Sequence, residues 1–302
     1  MPFLWAEAAR AARERETQHH LPELQNPVRE ENMRPMKPEN KTIAKQFAKV
    51  QKQEQKLLAK KESPLGKKVS AVGKKVEQKL PEPALDAMRA AFEKGFAFVF
   101  QNGTGVIEKA GAAQKKRDSY ELNAFALQRD PSRKNFKRFD CAAGRAALGN
   151  QALSAAEGAL LGVLGIGLPD VPVFIGVILK TVYEAAVSYG FSYEDEAERT
   201  FVLAVICAGV SKGDEKQQWS ARADRIGYAI DTGKVFPQKP DDLLREASAL
   251  LADRMLAAKS VQGLPVVGVV GGVTNSVMIG QVGRMAGLKY KKRFLNRQNG
   301  IK

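Results

Sequence analysis

The chain reads as an all-α protein: a compact multi-helix domain with closely packed glycine-rich helices, preceded by a basic, conditionally helical arm. Three observations predict this. Apolar residues recur at spacings of three and four in one segment after another, the period of a helix face. Prolines and acidic residues punctuate those segments where a helix must restart, as at Asp130-Pro131, Pro169-Asp170 and Pro240-Asp241. Small residues crowd two stretches, around Gly158 and Gly162 and around Gly268 and Gly272, where glycines four apart let helix backbones approach closely.

The elements follow in order. Residues 2–18 read as a short charged helix, and Leu21–Asn40, with four prolines, as an extended linker. From Thr42 to Lys61, Ile43, Phe47, Val50 and Leu57 share one stripe and lysines cover the rest. After Pro64 the stripe continues with Leu65, Val69, Val72, Val76 and Leu80. There Gly66-Lys67-Lys68-Val69 repeats as Gly73-Lys74-Lys75-Val76, a narrow apolar seam against lysine. Its two glycines weaken the helix by about 1 kcal/mol each, so this part folds only on contact with a partner. We therefore place the arm at 1–81, the domain at 82–297 and a tail at 298–302.

Within the domain, Leu85, Met88, Phe92, Phe96 and Val99 predict one helix and residues 106–127 the next. Asp130-Pro131 starts another. Leu168–Pro172 breaks the chain, with Asp170 as the cap of a helix that Gly190 stops. Ser192 and Asp195 form a capping box for the helix that is apolar from Phe201 to Val210. Asp214 caps a helix carrying Trp219, Ile226 and Tyr228. Pro240 opens the next, with Leu243, Ala247, Leu251 and Met255 on its inner face. Ser260–Gly283 is uncharged over a length that would span a bilayer, but its glycines, glutamines and Asn275 favour a buried helix pair over insertion.

Charge narrows the function. The 302 residues carry a net charge of +15, which points to phosphate-bearing partners. Arg34–Lys79 holds 14 basic residues against 4 acidic, and Arg284–Lys302 holds 7 against none. Phe139–Gly283 holds 12 basic against 16 acidic, so the core is mildly acidic between basic flanks. Lys67, Lys68, Lys74 and Lys75 in the arm, with Lys291, Lys292 and Arg293 near the C-terminus, are the candidate anion-binding residues. Two cysteines and two adjacent histidines, His19 and His20, supply no disulfide framework, no metal cluster and no histidine-based catalysis. No cofactor and no metal are expected. The glycine runs lack the order of a dinucleotide fingerprint and the Lys-Ser/Thr of a phosphate loop. Among carboxylates in apolar surroundings, Asp170 reads as a cap and Glu157 as the partner of Arg145 or Arg199; with Glu184 they are also the only acid–base candidates.

The run Ala156-Glu157-Gly158-Ala159, Gly162, Gly165, Pro169-Asp170-Val171-Pro172, Tyr189-Gly190-Phe191 and Glu198-Arg199 resembles the EcsC family. So does the ending Leu264–Gly268, Gly271-Gly272, Asn275 and Val282–Ala286. The likeness covers residues 85–297. It implies an intracellular, mainly bacterial helical protein, named for a gene encoded beside an ABC-type transporter, and it brings no catalytic residue and no cofactor. Glu157, Gly158, Gly162, Asp170, Gly268, Gly272 and Asn275 are then structural. The reading that follows is a non-enzymatic, peripheral membrane protein at the inner face of the membrane, accessory to a transporter or secretion system. An anionic membrane surface is its expected partner, with a protein partner beside it. A carboxylate-dependent hydrolase and nonspecific nucleic-acid binding through the arm are the alternatives.

Overall fold

The computed structural model describes residues 41–59, 82–102, 112–162, 170–234, 236, 238–262 and 270–299. Every element among them is a helix: α1 (Lys41–Leu58), α2 (Glu82–Asn102), α3 (Ala112–Arg129), α4 (Arg133–Gly162), α5 (Asp170–Ser188), α6 (Glu196–Val210), α7 (Gly213–Asp231), α8 (Pro240–Gln262) and α9 (Val270–Gln298). The protein is all-α, as the spacing of its apolar residues predicts.

Two helices organise the packing. Helix α6 is buried along almost its whole length, from Glu198 to Val210, because Phe201–Val210 is apolar on every face. Helix α9 packs against α1, α4, α5, α6 and α7, most extensively against α4. Gly209 on α6 meets α9 so closely that a Cβ there would stand 2.7 Å from the Val282 Cα. Gly283 is equally tight, its absent Cβ facing that of Ala147 at 2.9 Å. Both are close helix crossings at a glycine; the expected ones at Gly158 and Gly162 concern positions whose surroundings are not described.

The helix ends show their causes. Gly190 sits at φ +75, and the Phe191 and Gly190 amides donate to the Ala186 and Val187 carbonyls, closing α5 with a left-handed turn. Gly233, at φ +67, closes α7 in the same way through Lys234 to Ala229. Two capping expectations need correction. Helix α6 begins at Asp195, whose side chain makes no cap bond, while the Ser192 hydroxyl accepts from the Glu194 amide. Helix α7 begins at Lys212 and Gly213, leaving Asp214 in the first turn. In both places the acidic residues sit against the positive helix end without taking the cap.

The compact part of the molecule also begins earlier than residue 82. Ile43, Phe47 and Val50 of α1 are buried in the same core as Phe92, Phe96 and Phe139. The sequence reading places this stripe in the arm at 1–81. Its lysines cover the outward face, while its apolar edge is enough to seat it on α9. The segments 2–18 and 21–40, the Gly-Lys-Lys-Val repeat with its four lysines, and Gly268 lie outside the described residues. Among the described residues no helix is long and apolar enough to cross a membrane.

Candidate functional site

The last turns of α9 read Lys289-Tyr-Lys-Lys-Arg-Phe-Leu-Asn-Arg297. Tyr290, Phe294 and Leu295 are core residues, so folding carries the neighbouring cations inward with them. A buried charge is tolerated only when it is paired, and each of these is. Lys289 is 1% exposed; its Nζ lies 2.5 Å from Glu54 Oε1 and 2.8 Å from Asp224 Oδ1, and donates to the Ser220 carbonyl at 2.8 Å. Lys292 reaches the other oxygens of the same two carboxylates, at 2.7 Å to Asp224 and 3.1 Å to Glu54. Lys291 pairs with Asp140 at 2.7 Å and donates to Gln46.

Arg293 is bound twice over. Its guanidinium forks onto Glu198 at 2.8 and 2.7 Å and onto Asp231 at 2.9 and 2.8 Å. The rings of Phe191 and Phe201 cover it at 4.5 and 4.4 Å from their centroids. Arg297 stacks on Phe191 and shares Asp231. Burial opposes charge in all of these groups. For Arg293 it is outweighed by the Asp231 and Glu198 bonds, which raise its pKa. For Glu54 burial is outweighed by Lys289 and Lys292, which hold the carboxyl at about 2. For Lys291 burial prevails over Asp140 and, helped by the nearby Lys49 charge, leaves its pKa lowered.

Lys291, Lys292 and Arg293, expected from the sequence to bind anions, are held here by carboxylates of the same chain. Their charges are neutralised internally, by carboxylates drawn from α1, α4, α6 and α7. The signal was present in the charge balance: a basic C-terminal segment followed a core with an acidic excess. The five partners themselves, Glu54, Asp140, Glu198, Asp224 and Asp231, are up to 238 residues away in sequence and no spacing rule links them.

Beside this network two adjoining cavities form one groove between α1, α4 and α9. The first, about 660 Å³, is lined by Gln46, Lys49 and Gln53 of α1 and by Arg133, Lys134, Lys137, Asp140 and Cys141 of α4. The second, about 670 Å³, shares Gln53 and Asp140 and continues along Ala143, Gly144, Ala147 and Leu148 of α4. Its α9 wall carries Gly280, Gly283, Arg284, Gly287 and Leu288. Asp140, at the junction, accepts from Lys291 and from the Tyr189 hydroxyl at 3.0 Å.

The remaining sequence candidates fall elsewhere. Glu184 is held by Lys116 and by Asn150 Nδ2. Arg145 donates to the Cys141 carbonyl and Arg199 lies over the Phe100 ring. Glu157, Gly158 and Gly162 lie on α4, Asp170 is the first residue of α5, and Gly272 and Asn275 lie in the first two turns of α9; their side-chain surroundings are outside the described part. Among the described residues no cluster of His, Cys, Asp or Glu is arranged to hold a metal ion.

A model of the EcsC protein family matches residues 44–295, from the first turn of α1 to the buried Leu295 of α9. The chain belongs to the EcsC protein family. It is 26% identical over 188 residues to "Protein EcsC" of Bacillus subtilis (strain 168), covering 59% of this chain and 73% of that protein. No solved structure matches. The family match begins inside α1, in accord with the burial of that helix's apolar edge.

Proposed function

We propose that this EcsC-family chain is a non-enzymatic peripheral membrane protein. It is held at the inner face of the membrane by anionic lipid and is accessory to a transporter or secretion system. The observation that carries the reading is a separation of its cations into two sets. Lys289, Lys291, Lys292 and Arg293 of α9 are paired with carboxylates inside the protein. Lys49, Arg133, Lys134 and Lys137 are exposed on neighbouring faces of α1 and α4 and have no carboxylate partner among the described residues. Each basic residue near an anionic membrane contributes about 1 kcal/mol, so this face and the four lysines of the Gly-Lys-Lys-Val repeat supply ample attraction.

Support against the hydrolase alternative comes from the carboxylates. Among the described residues, the buried Glu54 and Glu198 are engaged by cations, and Lys289 and Lys292 hold the Glu54 carboxyl at about 2, which makes it a poor proton acceptor. The test is flotation with vesicles of phosphatidylglycerol and phosphatidylcholine. The parent is expected to float with anionic vesicles at low salt and to be released at high salt. The variant with Lys67, Lys68, Lys74 and Lys75 changed to Glu is expected to stay behind. Unchanged flotation of that variant sinks the arm's part in the reading.

A further inference from the structure

We infer that the groove between α1, α4 and α9 is a binding site for one molecule of an anionic phospholipid, with the phosphate at its cationic end and an acyl chain along its glycine floor. The inference rests on the membrane reading only in taking a lipid as the partner. The two ends of the groove differ in chemistry. At one end Lys49, Arg133, Lys134 and Lys137 converge from two helices with no carboxylate partner among the described residues, and Asp140 nearby is already neutralised by Lys291. That is a site for a multiply coordinated anion. At the other end Leu57, Gly144, Ala147, Leu148, Gly287 and Leu288 give an open trough an apolar floor, with Lys56 and Arg284 also in its lining. An anion alone would not use the trough, and an uncharged apolar molecule would not use the cations. A charged head joined to a hydrocarbon tail uses both.

The dimensions agree. Each half of the groove has the volume of a small-molecule site, about 300–1,000 Å³. Lys137 to Leu148 spans about 16 Å of helix, close to the hydrocarbon depth of one leaflet, about 15 Å. Gly144 and Gly287 add an independent point. Gly209, Gly227 and Gly283 on the same helices and their neighbours each face an atom closely, but a Cβ at Gly144 or Gly287 would meet nothing within 4 Å. Among the described residues no packing demands glycine there. A ligand lying against the two backbones does.

The same open space makes a clean test. Gly144→Leu and Gly287→Leu put two side chains into the trough from positions where a Cβ meets no neighbour within 4 Å, and Lys134→Glu with Lys137→Glu reverses the head site. The full chain is titrated by calorimetry, below the micelle concentration, with lysophosphatidylglycerol, lysophosphatidylcholine and glycerol phosphate. The parent is expected to bind lysophosphatidylglycerol at least about tenfold more tightly than either of the others. The filled-trough variant loses at least about tenfold, the equivalent of two buried methylenes, while its melting stays cooperative and its flotation is retained. Equal binding of glycerol phosphate overturns the proposal in favour of a free-phosphate site. Equal binding of lysophosphatidylcholine, or parental affinity in the filled-trough variant, also overturns it. The arm variant with four Lys→Glu changes keeps lysophosphatidylglycerol binding, so loss of its flotation and loss of groove binding are separable results.

Discussion

Glu54 is the residue on which most depends, because it joins α1 to the far end of the chain. Its two oxygens receive Lys289, Lys292 and the Ser220 hydroxyl. Replacing it by Gln keeps the shape and removes the charge, leaving two lysines to share Asp224. Removing one partner of a buried pair costs about 3–5 kcal/mol, and Asp224 places Glu54→Gln at about 3 kcal/mol, read by chemical denaturation at pH 7. The pH dependence has a fixed sign. The Glu54 pKa in the folded state is held below its ordinary 4.5, at about 2. Its stabilisation is therefore complete above about pH 4.5 and is lost as the pH falls through about 2. In the Gln variant the loss of stability between those values should be shallower. A parallel pH profile would show that the pair does not carry the coupling.

Among the helices, the close crossing of α6 and α9 rests on a missing side chain. Adding a methyl at Gly209 places it 2.7 Å from the Val282 backbone, which cannot rotate away. Gly209→Ala is expected to cost about 1–3 kcal/mol by overpacking. Gly144→Ala tests the opposite case on α4, where the methyl enters open space and the helix gains about 0.5–1 kcal/mol. Thermal melts of the two variants should therefore move in opposite directions from the parent. If Gly209→Ala melts with the parent, the two backbones are not in contact. The lysine-rich stripe of α1 belongs to the same scale. Its pattern resembled that of the basic repeat that follows it, and only the buried Ile43, Phe47 and Val50 distinguish a core helix from a surface-seeking one.

For the whole molecule, the ion-pair network makes the first and last described helices a single unit. Lys289, Lys291 and Lys292 each have a partner on α1. A chain starting at residue 41 is expected to keep the parent's cooperative melt, in keeping with a family match that begins at residue 44. A chain starting at residue 60 uncovers the α9 cations and exposes core surface, and its melt should be broad or absent. A sharp, parental melt of the shorter chain would return α1 to the arm.

How much was legible follows from the range of the forces involved. Helix identity was legible because the 3.6-residue period and the chain breaks at Pro131, Pro240 and Gly190 are local properties. The family, too, was legible, in the order of its glycine, proline and acidic motifs. The roles of the charges were not. Lys291 and Lys137 look alike in a sequence, both basic and beside other basic residues. Burial decides between them, and burial of Lys291 depends on Tyr290, Phe294 and Leu295 meeting a core assembled from other helices, with Asp140 and Gln46 waiting there. The groove is likewise a tertiary object. Its walls come from residues 46–57, 133–148 and 280–291, and each wall alone is an ordinary helix face. A cation is free or spent, and a glycine tight or open, according to what the fold brings opposite it.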